Sequence, residues 1–350
     1  MTVHQTPVAA VRADKGTAPL TITCVNPLDH AEEIKGLFLA HERPEFPPYF
    51  ERAYRGRAGE GAKSWVGRDE HGTLRAYIAL FPRRFRFGGR VVHGGLLANM
   101  MVATAYRTFW PGLALVRQLV KDAQASGSLD LVYGDPNEGA RALAERSGLR
   151  LIGTLRRFVL PVADRRRGVD VGIQAYQLIR RWAGPAPLAV SEPARAVPDP
   201  PAYAPEPDAR ILRPLRDASL YRARLSGYPD ASDWWFTFHA KGSPDAPVAT
   251  ALVRGPDARG VAAVCAFECE SATQLGSLLA ALARPLRRVG AARLEIGVLA
   301  DSADAWAVRR AGFMQREDRT PILAAPFTDV GAAVVAAGAQ WRLLPIDLDR

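Results

Sequence analysis

The sequence predicts an α+β protein made of two tandem, related halves, each with a central, mostly antiparallel mixed sheet flanked by helices. Three observations lead to this fold class. The chain has 350 residues, which exceeds the ~100–200 residues of a usual single domain. Hydrophobic residues make up 48% and charged residues 23% of it, as in ordinary globular proteins. Extended and helical patterns follow one another in a similar order in both halves, which indicates an internal duplication.

Proline separates the two halves. Between Pro185 and Pro207 the chain is so rich in proline that neither a helix nor a central strand can persist there. An amphipathic pattern from Val171 to Ala183 predicts a helix just before this stretch. We therefore predict four segments: a flexible N-terminus (1–19), a first domain (20–162), a helix with a proline-rich linker (163–209) and a second domain (210–350).

In the first half, the residues that follow Ser64 alternate extended apolar runs with turn signals at 70–72 and 88–89, which predicts an antiparallel meander. Apolar residues then recur at helical spacing from Leu113 to Ala123, and Gly127 marks the end of that helix. A short strand at 129–133, a helix at about 138–146 with Gly148 as its stop, and paired strands around 151 and 158 complete the half.

The second half repeats the closing part of this order. It reads as a strand (261–269), a helix that Gly290 ends, a strand (293–299), a helix (304–310) and, after Gly312, a last strand. In the resulting alignment Gly148 corresponds to Gly312 and Asn137 to Asp301. This correspondence supports duplication of one domain.

Composition narrows the possible functions. No apolar run approaches the ~20 residues of a membrane helix, and the N-terminus lacks the basic-then-apolar order of a signal peptide, so we expect a cytoplasmic protein without a membrane span. The net charge of +10 comes from dispersed arginines without interleaved aromatic residues, which argues against nucleic acid as a partner. Cys24, Cys265 and Cys269 are too scattered for a disulfide framework or a zinc site; we predict buried thiols and no metal.

The segment from Met100 to Ala123 carries the strongest functional signal. A strand runs through a short basic turn into a helix, and the unpaired N–H groups at a helix N-terminus attract anions. Arg107 adds a charged donor suited to phosphate. This arrangement would suit a pyrophosphate.

The turn Arg107-Thr108-Phe109-Trp110-Pro111-Gly112 resembles the acyl-CoA signature Arg/Gln-x-x-Gly-x-Gly/Ala of the Gcn5-related N-acetyltransferase (GNAT) superfamily. The stretch from Tyr133 to Gly153 is similar to that family's closing strand, Asn-containing turn, helix and final strands. Arg107 and Gly112 match the signature, whereas Trp110 stands at the first glycine and Pro111 has no N–H to offer.

The resemblance implies a function for each matching position. Residues 107–110, 112 and 113 would bind the pyrophosphate, and Met101 and Val102 would orient the thioester. Asn137 would bind the pantetheine arm, although its place before a helix is also that of an N-cap. The tyrosine that often serves as general acid in the family falls at Ala144. The cofactor-binding set is therefore Met101, Val102, Arg107, Thr108, Phe109, Trp110, Gly112, Leu113 and Asn137.

The second half lacks this signature. Glu270 lies near the position that Arg107 takes in the first half, and a carboxylate there would repel phosphate. We interpret the second half as a degenerate copy. Its aromatic run Trp234, Trp235, Phe236 and Phe238 reads as sheet core, with stacking on a substrate as the alternative.

Catalytic residues are less evident. An acyl transfer needs a base for the attacking group, and His93 and Asn99 are the candidate catalytic residues. Glu42, Glu45 and His239 could also serve. A lone histidine in a strand is more often structural, and Asn99 could equally end a hydrogen-bond ladder.

The resemblance implies an acyl-CoA-dependent acyltransferase of the N-acetyltransferase type. It would move an acetyl or other acyl group from CoA, by direct attack and without a metal, to an amine or hydroxyl of a small molecule or a cell-envelope or polysaccharide precursor. Two alternatives stay open: a catalytically silent binding or scaffold protein of the same fold, and a transferase similar to the Fem enzymes that uses aminoacyl-tRNA.

Overall fold

The computed structural model describes residues 19–55, 61–162, 188–191, 194, 211–216, 221, 233–240, 243–336 and 340–348. By its internal contacts the chain forms two compact units. Unit 1 comprises Met1–Phe85, Val91–Ile152 and Pro321–Ala336, and unit 2 comprises Arg86–Arg90, Gly153–Thr320 and Ala337–Arg350. The predicted helix at 171–183 lies outside the described residues.

Unit 1 contains a mixed sheet in the strand order β1-β2-β3-β4-β5-β13. All pairs given by their register are antiparallel except that of β4 with β5. The strands are β1 (Thr21–Val25), β2 (Lys63–Arg68), β3 (Leu74–Phe87), β4 (Arg90–Val102), β5 (Leu131–Gly134) and the end of β13 (Met314–Pro326). The predicted meander is therefore confirmed, and Gly72, Gly88 and Gly89 at its two turns have positive φ angles.

The helices of unit 1 are α1 (Ala31–Leu39), α2 (Phe46–Arg55), α3 (Phe109–Ala125), α4 (Glu138–Arg146) and, after β13, α7 (Asp329–Ala336). The positions and stops predicted for α3 and α4 are confirmed, with Gly127 at φ 62° and Gly148 at φ 96°. Leu115, Val116 and Leu119 of α3 pack against the sheet in one buried cluster. Helices α1 and α2 did not emerge from the sequence pattern.

Unit 2 has strands in the order β6-β12-β11-β10-β9-β7. Only β11 with β12 is parallel among the pairs whose register is given. The strands are β6 (Arg150–Pro161), β7 (Ala189–Val190), β8 (Arg213–Pro214), β9 (Asp233–Ala240), β10 (Ser243–Arg254), β11 (Val261–Glu268) and β12 (Arg293–Leu299). Helices α5 (Ala272–Arg288) and α6 (Ala303–Arg310) follow β11 and β12, which confirms the predicted order of the second half.

The final strands are divided between the units. We predicted paired strands around Leu151 and Phe158, but β6 is a single strand from Arg150 to Pro161, and most of it pairs with β12 in unit 2. The last residues of β13, from Leu323 to Pro326, pair with β5 in unit 1. The predicted boundaries at 20–162 and 210–350 stay a prediction, since each compact unit takes strand residues from the other side of the linker.

Side-chain burial settles two further expectations. Trp235, Phe236 and Phe238 are buried in the core of unit 2, and the half-buried Trp234 packs against them, as the sheet-core interpretation requires. Cys265 and Cys269 are buried, but Cys24 is exposed, so the prediction of three buried thiols was wrong for Cys24. Among the described strands, β1 pairs only with β2, which leaves Cys24 near the edge of the described sheet.

Candidate acyl-CoA site

The parallel strands β4 and β5 diverge within unit 1. They pair from Gly94 with Leu131 to Leu97 with Gly134. Strand β5 then ends, whereas β4 continues through Ala98–Val102. The edge of β4 that β5 has left provides N–H and C=O groups to which an extended chain can bond as a further strand would.

Helix α3 begins just beyond this free stretch of β4, and its first turn lacks a side-chain cap, as does that of α1. Asn137, Ser271 and Ser302 cap α4, α5 and α6 by accepting a backbone N–H. Thr108 holds the N-cap position of α3 but makes no such side-chain bond within the described structure. An N-cap side chain accepts from the second or third helical N–H, and the third residue here is Pro111, which has none. The N–H groups of Phe109 and Trp110 are left for an anion.

Packing between α3 and α4 fixes the position of this turn. A Cβ atom at Gly112 would come within 2.8 Å of Leu143 Cδ1, so glycine allows the close approach of the two helices. The Arg146 guanidinium lies over the Phe109 ring at 4.5 Å, a cation–π contact. Leu113 is buried, whereas Trp110 is 43% exposed at the position where the signature has glycine.

Arg107 lies at the mouth of the turn and is exposed. Its Nε donates to the Val102 carbonyl at 3.0 Å, and its Nη2 is 3.8 Å from Met101 Sδ. The guanidinium thus connects the end of β4 with the start of α3. The structure brings together residues 101, 102, 107–110, 112 and 113 of the predicted set.

Asn137 follows β5 and is the N-cap of α4. Its Oδ1 accepts from Ala140 N at 2.9 Å, which confirms the capping interpretation. In unit 2 the corresponding cap is Ser302, one residue beyond the predicted counterpart Asp301. Ala144, at the position of the family's general acid, is buried in the core cluster of unit 1.

Asn99 lies on the free stretch of β4, two residues beyond its last pair with β5, and has a φ of 58°. Asparagine tolerates this left-handed conformation better than most residues. Its Nδ2 donates to the Tyr49 hydroxyl at 3.1 Å and to the Tyr54 hydroxyl at 3.0 Å. Both tyrosines belong to α2, and neither was singled out from the sequence, because only the three-dimensional fold places α2 beside β4.

The other candidate bases do not join this group. His93 is exposed and lies before the first pair of β4 with β5, roughly 20 Å along the strand from Asn99 at ~3.3 Å per residue. Glu42 and Glu45 are exposed between α1 and α2, and Glu45 pairs with Arg43. His239 belongs to unit 2, where it bonds Ser191.

The position of His93 leads to a testable expectation. Its backbone N–H and C=O bond Asp130, and these bonds survive a change of the exposed side chain. We expect His93→Ala to match the wild type in ligand affinity and in rate in any assay of this site. A loss of either in a variant with an unchanged melting temperature would show that the imidazole takes part after all.

The corresponding cleft of unit 2 is occupied by the chain itself. Strands β11 and β12 pair as far as Val264 with Ile296, as β4 and β5 do in unit 1. Just after β11, the Cys269 carbonyl accepts from Arg213 Nη1 at 3.0 Å and from Arg342 Nη1 at 3.1 Å. Arg342 also makes a two-point bond to Asp304 in the first turn of α6, with both distances 2.7 Å.

A third buried arginine, Arg216, lies at the end of β11. Arg216 bonds Glu268 at 2.9 Å and Asp347 at 2.9 Å, and the Tyr221 hydroxyl donates to Glu268 at 2.7 Å. Burial alone would lower the pKa of Arg216, but these two carboxylates raise it well above its ordinary value. Its charge is therefore permanent. Arg213, Arg216 and Arg342 thus bond the backbone carbonyls of Phe267, Cys269 and Glu270 at the end of β11.

Neither a membrane span nor a metal cluster is found in the segments that the structure describes. No described helix is long and apolar enough to cross a bilayer. The same segments hold no group of three or more His, Cys, Asp or Glu side chains arranged to bind a metal ion.

Comparison with solved structures identifies the fold. The GCN5-related N-acetyltransferase from Anabaena variabilis matches with a TM-score of 0.61 and 11% identity over 89% of this chain and 74% of that one. A tandem GNAT protein from the clavulanic acid biosynthesis pathway matches with a TM-score of 0.52 and 16% identity, over 88% of this chain and 99% of that one. Saccharomyces cerevisiae N-myristoyltransferase with bound myristoyl-CoA gives 0.51 and 11%, over 93% and 88%.

The chain therefore has the GNAT fold, as the sequence predicted. More specifically, it has a tandem form of that fold, with one strand-divergence cleft in each unit. No family model and no curated protein matches the sequence. At these identities the structural likeness establishes the fold, and the activity has to be argued from the site.

Proposed function

We propose that the protein is an acyl-CoA-dependent acyltransferase of the N-acetyltransferase type, with its acyl-CoA site in unit 1. The observation that carries the proposal is the difference between the two clefts. In unit 1, the divergence of β4 from β5 leads to a helix start without a side-chain cap. In unit 2, the corresponding helix start is capped by Ser271 and the strand end is bonded by buried arginines.

Each part of the cofactor has a counterpart in unit 1. The N–H groups of Phe109 and Trp110 and the Arg107 guanidinium would hold the pyrophosphate. The pantetheine arm would extend along Ala98–Val102, in the place that β5 has left, with Asn137 at the opposite side. Only two N–H donors remain in the first turn, because Pro111 removes the third, and Arg107 compensates with its charge.

The reaction would be a direct transfer. The acceptor lone pair attacks the thioester carbonyl, the new C–N or C–O bond forms, and the C–S bond breaks. The CoA sulfur leaves as a thiolate and takes up the proton that the acceptor loses. Holding the two reactants in contact supplies much of the rate enhancement, so the proposal needs neither a metal nor a covalent enzyme intermediate. The acceptor would be a small molecule or a cell-envelope or polysaccharide precursor.

Thermal unfolding with and without millimolar acetyl-CoA tests this proposal. A ligand that binds only the folded state raises the melting temperature, so we expect a rise of several degrees in the wild type. Arg107→Glu should abolish the rise, because it replaces a phosphate donor with a repelling carboxylate. Arg288→Glu, an exposed position at the end of α5 in unit 2, changes the net charge equally and should keep the rise.

A negative result in this assay would distinguish between the two alternative functions. If acetyl-CoA shifts neither the wild type nor the control, the acyl-CoA site does not exist, and the same assay with aminoacyl-tRNA then decides between the Fem-like transferase and the silent scaffold. Binding to tRNA phosphates would weaken steeply with added salt.

A further inference from the structure

We propose that the indole of Trp110 is the surface on which the adenine ring of CoA stacks. The protein then selects a free acyl-CoA over an acyl donor whose phosphopantetheine arm is attached to a carrier protein, because only the free acyl-CoA has an adenine. This inference rests on the proposed function and deepens it, since it names the class of acyl donor and the side chain that selects it.

Trp110 is an exposed aromatic residue in the first turn of α3. It is the second residue of that helix, and its exposure would need no explanation at an ordinary surface position. Its place in the helix makes it informative. Side chains of helical residues lean toward the N-terminus of their helix, so the indole leans toward the N–H groups that would hold the pyrophosphate.

The outward face of α3 carries positive charge beside this indole. Arg117 and Lys121 follow Trp110 by roughly two and three helical turns, which places all three on one side of the helix. All three are exposed, whereas Leu115 and Leu119 of the opposite side pack in the buried cluster of unit 1. A nucleotide beside Trp110 would therefore bring its phosphates to a positively charged surface.

Neighbouring side chains support the indole. The rings of Phe109 and Trp110 are 6.0 Å apart with an angle of 82° between their planes, an edge-to-face contact. The Arg146 guanidinium lies over the Phe109 ring at 4.5 Å, and the Arg146 carbonyl accepts from Arg117 Nη2 at 3.3 Å. In a perpendicular pair, Phe109 supports the indole but covers at most one of its two faces.

The covalent structure of CoA brings adenine to this position. The pyrophosphate joins the pantetheine arm to the adenosine, so the two parts extend from its opposite ends. With the arm along Ala98–Val102 of β4, the adenosine lies at the other end, beside the outward face of α3. Only the ribose separates the pyrophosphate from the base. A pyrophosphate bonded to the N–H groups of Phe109 and Trp110 therefore carries its adenine within reach of the Trp110 indole.

Tryptophan at position 110 replaces one kind of contact with another. Pro111 has no N–H for the pyrophosphate, which lowers the affinity for any donor that ends in a phosphate. A base stacked on an aromatic side chain raises affinity about tenfold. This gain is available only to a donor that carries a base, so it separates acyl-CoA from a phosphopantetheine arm whose phosphate is bonded to a carrier protein.

Two donors test the inference: acetyl-CoA, and S-acetyl-4′-phosphopantetheine, which keeps the arm and one phosphate but lacks the adenosine. Their dissociation constants are measured by titration calorimetry for the full-length wild type, Trp110→Ala, Trp110→Leu and Trp110→Phe. The matched control is Trp306→Ala, which removes an exposed tryptophan of unit 2 that lies 4.7 Å from the Arg310 guanidinium. The melting temperature of each variant shows that it is folded.

We expect Trp110→Ala to weaken acetyl-CoA binding about tenfold and to change the affinity for the truncated donor less than about twofold. Trp110→Leu keeps an apolar side chain without a ring and should lose as much, whereas Trp110→Phe keeps a ring and should retain most of the affinity. Trp306→Ala should match the wild type with both donors. Trp110→Leu serves if Trp110→Ala does not fold.

Two results would overturn the inference and leave the proposed function intact. One is a folded Trp110→Ala or Trp110→Leu protein that binds acetyl-CoA as tightly as the wild type. The other is an equal loss of affinity for both donors, which would show that Trp110 acts on the phosphate or the arm and not on adenine. Absence of acetyl-CoA binding to the wild type would overturn the proposed function itself, and this inference with it.

Discussion

Arg342→Ala is expected to lower the free energy of unfolding of unit 2 by about 3–5 kcal/mol. The Arg342 side chain is 4% exposed and its partner Asp304 is 7% exposed. Removal of the guanidinium leaves the Asp304 carboxylate buried without its charged partner and takes one donor from the Cys269 carbonyl. Urea unfolding, with hydrogen exchange of α6 and the end of β11 as a local probe, measures the effect.

The matched control is Arg259→Ala, which breaks an exposed ion pair with Asp257 in the same unit. Exposed pairs contribute little, so we expect a change below about 1 kcal/mol. A double variant with Arg342→Leu and Asp304→Leu should recover part of the lost stability, since no buried charge remains unpaired. Equal effects of Arg342→Ala and Arg259→Ala would refute the assignment of Arg342 as the group that fills this cleft.

Gly331→Val is expected to destabilise unit 1 by about 3 kcal/mol, at the upper end of the usual cost of overpacking. A Cβ atom at position 331 would lie 1.9 Å from the Asp130 carbonyl oxygen. That backbone oxygen cannot move freely, because it accepts from Phe327 N at 2.7 Å. The Asp130 carboxylate also accepts from Thr328 Oγ1 at 2.8 Å. These contacts attach the segment after β13 to the start of β5.

Gly36→Ala provides the control for this substitution. Gly36 is exposed within α1, and no atom lies within 4 Å of a Cβ built there. Alanine should raise stability by about 0.5–1 kcal/mol through its better helix propensity. Urea midpoints of the two variants would move in opposite directions. If Gly331→Val unfolds at the wild-type midpoint, Gly331 does not pack against the Asp130 carbonyl as described.

Local patterns in the sequence were sufficient for most elements of the fold. The 3.6-residue spacing of apolar residues and the stop glycines at 127 and 148 predicted α3 and α4. Both signals are local, because each spans only a few helical turns of contiguous chain. The long β6 and the division of β6 and β13 between the units were not predictable in this way. Such pairings depend on residues far apart in sequence, and Arg150–Pro161 reads equally well as two short strands or one long one.

The candidate site likewise combines contiguous features, which the sequence predicted, with long-range contacts, which it did not. The turn from Arg107 to Gly112 is contiguous, so the sequence could place it at the start of a helix. The contact of Asn99 with α2 and the filling of the second cleft by Arg342 connect residues that are 45 or more positions apart. Nothing in the composition around Tyr49 or Tyr54 marks them, because aromatic residues in a helix ordinarily indicate core packing.

The central claim is that the cleft of unit 1 binds acyl-CoA and that of unit 2 does not. Isothermal titration calorimetry with acetyl-CoA on the full-length protein tests it most directly, because it gives both the affinity and the number of sites. We predict one site per chain, lost in Arg107→Glu and kept in Arg288→Glu. Two sites per chain, or one site that Arg107→Glu leaves intact, would contradict the account.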